Sequence, residues 1–489
     1  MIKRVLSVIF SLLLVSVFCR GEEKPNILFI FADDQCFETI HAYGLTDIDT
    51  PNLDKLVERG TTFTHAYNMG SWSGAVCVAS RHMLNTGAFV WKAQAISEQL
   101  GGKAGKNKKG RTNKKSPWPD FSRKGLMWSQ LMSSAGYDTY FTGKWHVRVD
   151  ANKVFRTARH IRGGMPRQTP EGYNRPIEGQ PDPWSPYDKK FGGFWEGGKH
   201  WSVVVGDDAT DYLKMANDRE NPFFMYIAFN AAHDPRQAPK EYEDMYPLDR
   251  IQLPENFLPE YPYKDQIDCG KNLRDEKLAP FPRTEYAVKV NRKEYYALIT
   301  HMDAQIGRIL AALKATGKEN NTYIFFTADH GLAIGHHGLM GKQNLFDHSI
   351  RVPLMAVGPG IPAGKTTDEP VYLQDIMATS LDLAGIEKPD HVQFHSLKPI
   401  WEGKGNGYKT IYGGYLRSQR CVIKDGWKLL LFPNVPKIQL FDTKLDPLEV
   451  NDLYGREPEK AKALFQDFLK LQEEPGDTLD VKPVFPELQ

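Results

Sequence analysis

The stretch Asn26–Ala32, NILFIFA, runs directly into Asp33 and Asp34, and its reading decides the fold class. An apolar run without polar alternation reads as a strand buried on both faces, the habit of a parallel sheet. Carboxylates just past its end mark the rim where open α/β sheets bind ligands. Residues 223–230 (FFMYIAFN) and 323–327 (YIFFT) repeat the pattern, the latter running into Ala328-Asp329-His330-Gly331, and residues 354–357 read as a shorter strand. Residues 137–142 extend toward Gly143. Helices are expected between them. Thr50-Pro51 reads as a cap followed by proline at the first helical position, opening a helix through Arg59. Residues 126–135 and 375–383 are also helical, and apolar positions from Tyr296 recur at helical spacing until Gly317. The expectation is an α/β fold: a large, mixed, mostly parallel central sheet covered by helices on both faces. After Pro399 the texture changes to short strands at 408–415, 420–424 and 427–432, then a helix at 458–473. Residues 22–400 are therefore read as the main α/β domain and 401–489 as a smaller C-terminal α+β domain with a short antiparallel sheet.

Residues 1–21 read as a signal peptide. Lys3 and Arg4 precede an apolar run over 5–18, and Cys19 and Gly21 give a small-x-small cleavage pattern. The run is short for a membrane span and Val17-Phe18 suits a lipidated cysteine poorly, so the mature chain is expected to be secreted or periplasmic, without a membrane span. The 489 residues carry 62 basic and 60 acidic side chains, so net charge argues neither for nor against a polyanionic partner; no nucleic-acid partner is expected. Four cysteines remain in the mature chain, Cys36, Cys77, Cys269 and Cys421, too few for a disulfide scaffold and without zinc spacing.

Chemistry-bearing residues cluster beyond the strand ends. Asp33-Asp34 would repel each other unless they share a cation, and hard oxygen ligands suit Ca²⁺ or Mg²⁺; a solvated turn explains the pair alone equally well. Cys77 opens a helical stretch in which Arg81, one turn on, offers a cationic fork for an anion. An isolated cysteine is more often an inert buried residue. Lys144 and His146, at i and i+2 after a strand, pair a point charge with a group that titrates near neutrality. Asp329 and His330, with Lys342 a short loop later, form another cluster. His233, in AHDP, adds a histidine after a further strand. Together they describe a rim that meets an anionic ester with a metal, an arginine, lysines and histidines, which suggests hydrolysis of a sulfate or phosphate ester.

The ordered set ADDQ (32–35), CVASR (77–81) with LNTG (84–87), TGKWH (142–146), AHDP (232–235) and TADHG (327–331) closely resembles the type I, formylglycine-dependent sulfatases of the alkaline phosphatase superfamily, especially secreted bacterial polysaccharide sulfatases. The resemblance runs from about Lys24 to the C-terminus and includes LFDTKLDPLEVNDL at 440–453. It implies that a formylglycine-generating maturation enzyme oxidises Cys77 to formylglycine, whose hydrate attacks sulfur. It implies one Ca²⁺ held by Asp33, Asp34, Asp329, His330 and residue 77. Arg81 would position the hydrate, and Lys144, His233 and Lys342 would bind sulfate oxygens and the leaving oxygen. His146 would take a proton from the second hydroxyl, so that sulfate is eliminated and the aldehyde restored. The chain departs from the family pattern at Ala79, where the maturation signature usually has proline, at Cys36, where many relatives have glycine, and at His330, where others have asparagine.

A sulfated polysaccharide or oligosaccharide is the expected substrate. Residues 101–115 (GGKAGKNKKGRTNKK) carry seven basic residues and no acid, and Arg156, Arg159, Arg162 and Arg167 continue the trend. Trp184, Trp195 and Trp201 are available to stack on sugar rings, although core tryptophans and a solvated basic loop account for the same residues. The alternatives are a phosphodiesterase or phosphonate monoester hydrolase of the same superfamily, and an unmatured, non-catalytic binder of sulfated glycans.

Overall fold

A computed structural model of the chain describes residues 24–101, 120–166 and 168–489. Eight strands form the central sheet: β1 (Asn26–Ala32), β2 (Thr61–Phe63), β3 (Asp138–Lys144), β4 (Thr157–Arg162), β5 (Phe223–Ala228), β6 (Thr322–Ala328), β7 (Leu354–Val357) and β8 (Lys365–Thr367). Their order is β8-β2-β7-β6-β1-β5-β3-β4. Only β7 runs against its neighbours, and β6, β1, β5, β3 and β4 are parallel throughout. β1 lies at the centre with every residue buried, which is why its sequence shows no alternation.

Helices cover both faces. The aromatic side chains of alternate strand residues identify them: Phe29 and Tyr226 pack on Trp128 of α4 (Trp128–Ser134), whereas Tyr140 packs on Tyr212 of α5 (Trp201–Asn217). α2 (Val76–Thr86), α3 (Val90–Leu100) and α7 (Asp375–Leu383) gather with α4; α1 (Pro51–Arg59) and α6 (Glu285–Ala315) gather with α5. Two expectations change. The helix read from Tyr296 begins at Glu285, capped by Thr284, whose hydroxyl accepts from Ala287 N at 3.1 Å. Thr50 does not cap α1; Asp303 of α6 accepts from Asn52 N and from Leu53 N at 2.7 Å instead. The Arg-rich stretch after residue 155 contains β4, an edge strand whose charges discourage further pairing. Among the described residues no helix is long and apolar enough to cross a membrane.

Four C-terminal strands, β9 (Ile411–Tyr415), β10 (Gln419–Lys424), β11 (Trp427–Phe432) and β12 (Lys437–Asp442), form an antiparallel sheet on which α8 (Pro458–Leu471) packs. β12 had no counterpart in the sequence reading. A fifth strand comes from far upstream: Gly70–Ser71 pairs in parallel with β9, six residues before Cys77. A buried ion triad also joins the two parts of the chain. Lys428 Nζ on β11 sits 2.8 Å from Asp347 Oδ1 and 2.6 Å from Glu449 Oε1, and all three side chains are excluded from water. Lys428→Met keeps the volume but leaves Glu449 uncompensated and Asp347 with Arg351 alone, at 3.6 Å, and removing one partner of a buried pair costs about 3–5 kcal/mol. The urea midpoint is expected to fall accordingly; an unchanged midpoint would show that the triad holds nothing.

Candidate active site

The sheet order brings the chemistry to one rim. Ala32 pairs with Ala328, and Ala228 pairs with both Phe31 and Gly143, so the carboxyl ends of β1, β6, β5 and β3 lie side by side. Asp33, Asp329, residues 230–234 and Lys144 follow from those ends. Gly143 is required here: its φ is +96° and a Cβ would overlap the Ala228 carbonyl. Asp34 (φ 58°) and His146 (φ 53°) are non-glycine residues in the left-handed region, a local strain that concentrates at functional sites. Tyr295 holds the first of them, donating to Asp34 O at 2.6 Å.

Cys77 is the second residue of α2 and is 2% exposed. Its Sγ lies 3.2 Å from His146 Nδ1. Burial alone would raise the thiol, but Lys144, a hydrogen bond from His330 and Lys342 outweigh it and lower the pKa. Arg81, one turn along, is locked in place: Nε donates to Asp329 Oδ2 at 3.0 Å, Nη1 donates to Lys144 O at 2.6 Å, and Nη2 stands 3.5 Å from Asp33 Oδ2. Lys144 is ion-paired with Asp33, and Lys342 Nζ donates to Asp34 Oδ1 and Oδ2 at 2.8 and 2.7 Å. His330 Nε2 is 3.2 Å from Asp34 Oδ1. Asp33, Asp34, Cys77, Arg81, Lys144, His146, Asp329, His330 and Lys342 thus converge.

The carboxylates are not equivalent. Burial raises Asp33, but Lys144 and then Arg81 hold it well below the usual range. Asp34 is pushed well above it, first by burial and then by the Asp33 and Asp329 charges, against Lys342. Ligand-type atoms of Asp33, Cys77, Asp329 and His330 lie within 4.8 Å of one another, and Asp33, Asp34 and His233 form a second such set. Asp33 Oδ1 is buried without a hydrogen-bond partner, a state that fits a group awaiting a cation. Three carboxylates supply the hard oxygens that calcium prefers. The buried Arg81, Lys144 and Lys342 already balance those three charges, so a dication added there leaves positive charge for an anionic ester to meet.

Two histidines serve different geometry. Burial, then Lys144 and Arg81, lowers His146 to about 3, so the ring is neutral near pH 7. His233 is lowered to about 4, chiefly by burial. Its Nδ1 is 2.7 Å from Asp234 Oδ1, and its Nε2 is 3.3 Å from Arg274 Nη2 and 3.6 Å from Asp34 Oδ2. Asp234 thus fixes the ring from the Nδ1 side and turns Nε2 toward Asp34 and Arg274.

A family model described as Sulfatase matches residues 25–386. The chain belongs to the sulfatase family. A second model, N-sulphoglucosamine sulphohydrolase, C-terminal, matches residues 335–474. An arylsulfatase of Clostridium perfringens is 30% identical over 90% of this chain and 92% of its own length. An N-acetylglucosamine-6-O-sulfatase of Bacteroides thetaiotaomicron is 24% identical over 91% of this chain and 85% of that protein. A solved structure of a protein in complex with its substrate D-glucosamine-2-N,6-O-disulfate has a TM-score of 0.68 at 23% identity, covering 93% of this chain and 99% of that one. A phosphonate monoester hydrolase of Agrobacterium radiobacter shares the fold, with a TM-score of 0.69 at 18% identity over 93% and 97% of the two chains. This sulfatase is a sulfuric ester hydrolase.

Several neighbours of the sulfatase site were not found by sequence reasoning. Asp234 could have been, since it follows His233 directly. Arg274, which bonds Asp234 and Asp275 besides His233, sits in a loop with no motif. Met165, whose sulfur accepts from Lys144 Nζ at 2.9 Å, gives no signal at all. The arginine row is less available than expected: Arg156, Arg159 and Arg162 are paired with Asp138, Asp211 and Glu196. Trp184 is buried beneath the Arg175 guanidinium. Residues 102–115 of the basic loop, Arg167 and the signal segment lie outside the described residues.

Proposed function

We propose that the chain releases sulfate from a sulfated glycan, with Cys77 matured to formylglycine and one calcium ion held by Asp33, Asp34, Asp329, His330 and residue 77. The observation that carries this is the contact between Cys77 and His146 inside a ring of carboxylates, lysines and Arg81. Calcium, when bound, polarises a sulfate oxygen and favours the ionised hydroxyl of the aldehyde hydrate. The chain's own residues do the rest. Arg81, fixed on both sides, keeps residue 77 in register. Lys144 and Lys342 present ammonium groups to sulfate oxygens, and His233 reaches the leaving oxygen through Nε2. His146, neutral and in contact with the γ-position of residue 77, takes its proton. The C. perfringens and B. thetaiotaomicron relatives support a sulfate ester and a sulfated sugar as substrate class.

Lys3, Arg4 and the apolar run at 5–18 support export to the periplasm or beyond, with the maturation enzyme as an earlier partner. Residues 22–400 and 401–489 remain our division of the exported chain. The test pairs peptide mass spectrometry of the segment around Cys77 with hydrolysis of matched substrates. The aldehyde should be present, and kcat/KM on 6-O-sulfated N-acetylglucosamine should exceed that on a phosphodiester or phosphonate monoester of similar size by more than about tenfold. Preference for the phosphorus ester would move the reading to the phosphonate hydrolases, and an unmodified thiol without turnover would leave a binder.

A further inference from the structure

The chain leaving β4 does not go straight to solvent. A Cβ at Gly164 would sit 3.4 Å from His146 Nε2, and Gly164 O accepts from Asn230 Nδ2 at 3.3 Å. Met165 follows against Lys144. Immediately beyond, Pro166, Pro170 and Tyr173 form one side of a cleft of about 800 Å³, completed by Lys190, Phe191 and Trp201. This second side is anchored to the same machinery through Gln237, four residues after His233. Gln237 Oε1 accepts from Phe194 N at 2.9 Å, Gln237 O lies 2.7 Å from His200 Nε2, and Trp201 N donates to Phe194 O at 2.8 Å. Both sides are therefore fixed relative to the reacting centre.

The lining sets proline and aromatic faces beside Gln168 and Thr169, whose side-chain oxygens are buried without a partner. Lys190 lies 3.0 Å from Asp188. Arg162, whose guanidinium covers Trp201 at 3.7 Å, is paired with Glu196. Proline and aromatic faces of this kind suit the C–H face of a sugar ring, with few polar groups needed to orient it. We infer that this cleft is a subsite for a sugar adjoining the sulfated ring, so that the enzyme prefers an oligosaccharide over a sulfated monosaccharide. The inference rests on the sulfated-glycan reading above.

The test uses the matured full chain with N-acetyllactosamine 6-O-sulfated on its N-acetylglucosamine, the corresponding monosaccharide, and methylumbelliferyl sulfate. Tyr173→Ala and, separately, Trp201→Leu should lower kcat/KM on the disaccharide about tenfold, the scale of one lost aromatic contact. Activity on the monosaccharide and the aryl ester should stay within about twofold. Equal losses on all three substrates, or no loss on the disaccharide, overturn the subsite. If the wild type cleaves only the aryl ester, the glycan reading fails by itself. Ligand-observed NMR with unsulfated N-acetyllactosamine then decides the cleft: binding lost in Tyr173→Ala supports it, and no binding to the wild type overturns it.

Discussion

Cys77→Ala is expected to reduce sulfate release by at least about a thousandfold, because losing the nucleophile of a catalytic set costs nearly as much as losing the set. The thermal midpoint should barely move: the Cys77 side chain is small, and alanine is tolerated where α2 begins. The comparison therefore separates chemistry from folding. His146 provides the internal control, since its ring stays neutral through burial whether or not the sulfur is present. Retained turnover in Cys77→Ala, measured as sulfate released from a sulfated sugar, would remove residue 77 from the mechanism.

Asp33→Asn is expected to be almost as severe, for two separable reasons. The substitution removes a hard carboxylate from the set formed with Cys77, Asp329 and His330. Outer-sphere partners alone are worth about 10–100-fold in metal affinity, so a direct ligand should cost more than about 100-fold. It also strips Lys144 and Arg81, both without solvent exposure, of a shared counter-charge. Leaving a buried charge uncompensated costs about 3–5 kcal/mol. Calcium titrations followed by thermal melting read both effects. The wild type should be stabilised by added calcium, as any ligand of the folded state stabilises it. Asp33→Asn should start from a lower midpoint and respond weakly. An identical calcium response in the two proteins would place the ion elsewhere.

The sheet was legible because β1, β5 and β6 are buried on both faces, which leaves apolar runs that nothing else explains. The site was legible because parallel strands end together, so polar clusters scattered along the chain share a rim. The unread parts have a common physical origin: polar residues buried through pairing. The first turns of α6 carry Arg292 and Glu294, which look solvent-facing in the sequence but are buried against Glu38 and Arg175. The apolar repeat is therefore faint until Tyr296. Lys428, in the middle of β11, conceals its burial in the same way. Short segments such as Gly70–Ser71 are too brief to show periodicity. The aldehyde was never legible from charge or spacing, and entered only through family resemblance.

The pairing of Gly70–Ser71 with β9 bears on the order of events in the life of the chain. In the finished protein Cys77 is enclosed, at the start of a helix that follows this pairing. The modifying enzyme proposed above would need access to a side chain that the folded state buries. The partner strand at residues 411–415 emerges near the end of synthesis, so this clasp cannot close while most of the polypeptide is still being made or exported. On the maturation proposed above, the fold would build a timer into its own assembly: the oxidation of residue 77 would have a window that opens when that residue appears and shuts when the C-terminal sheet zips onto Gly70–Ser71.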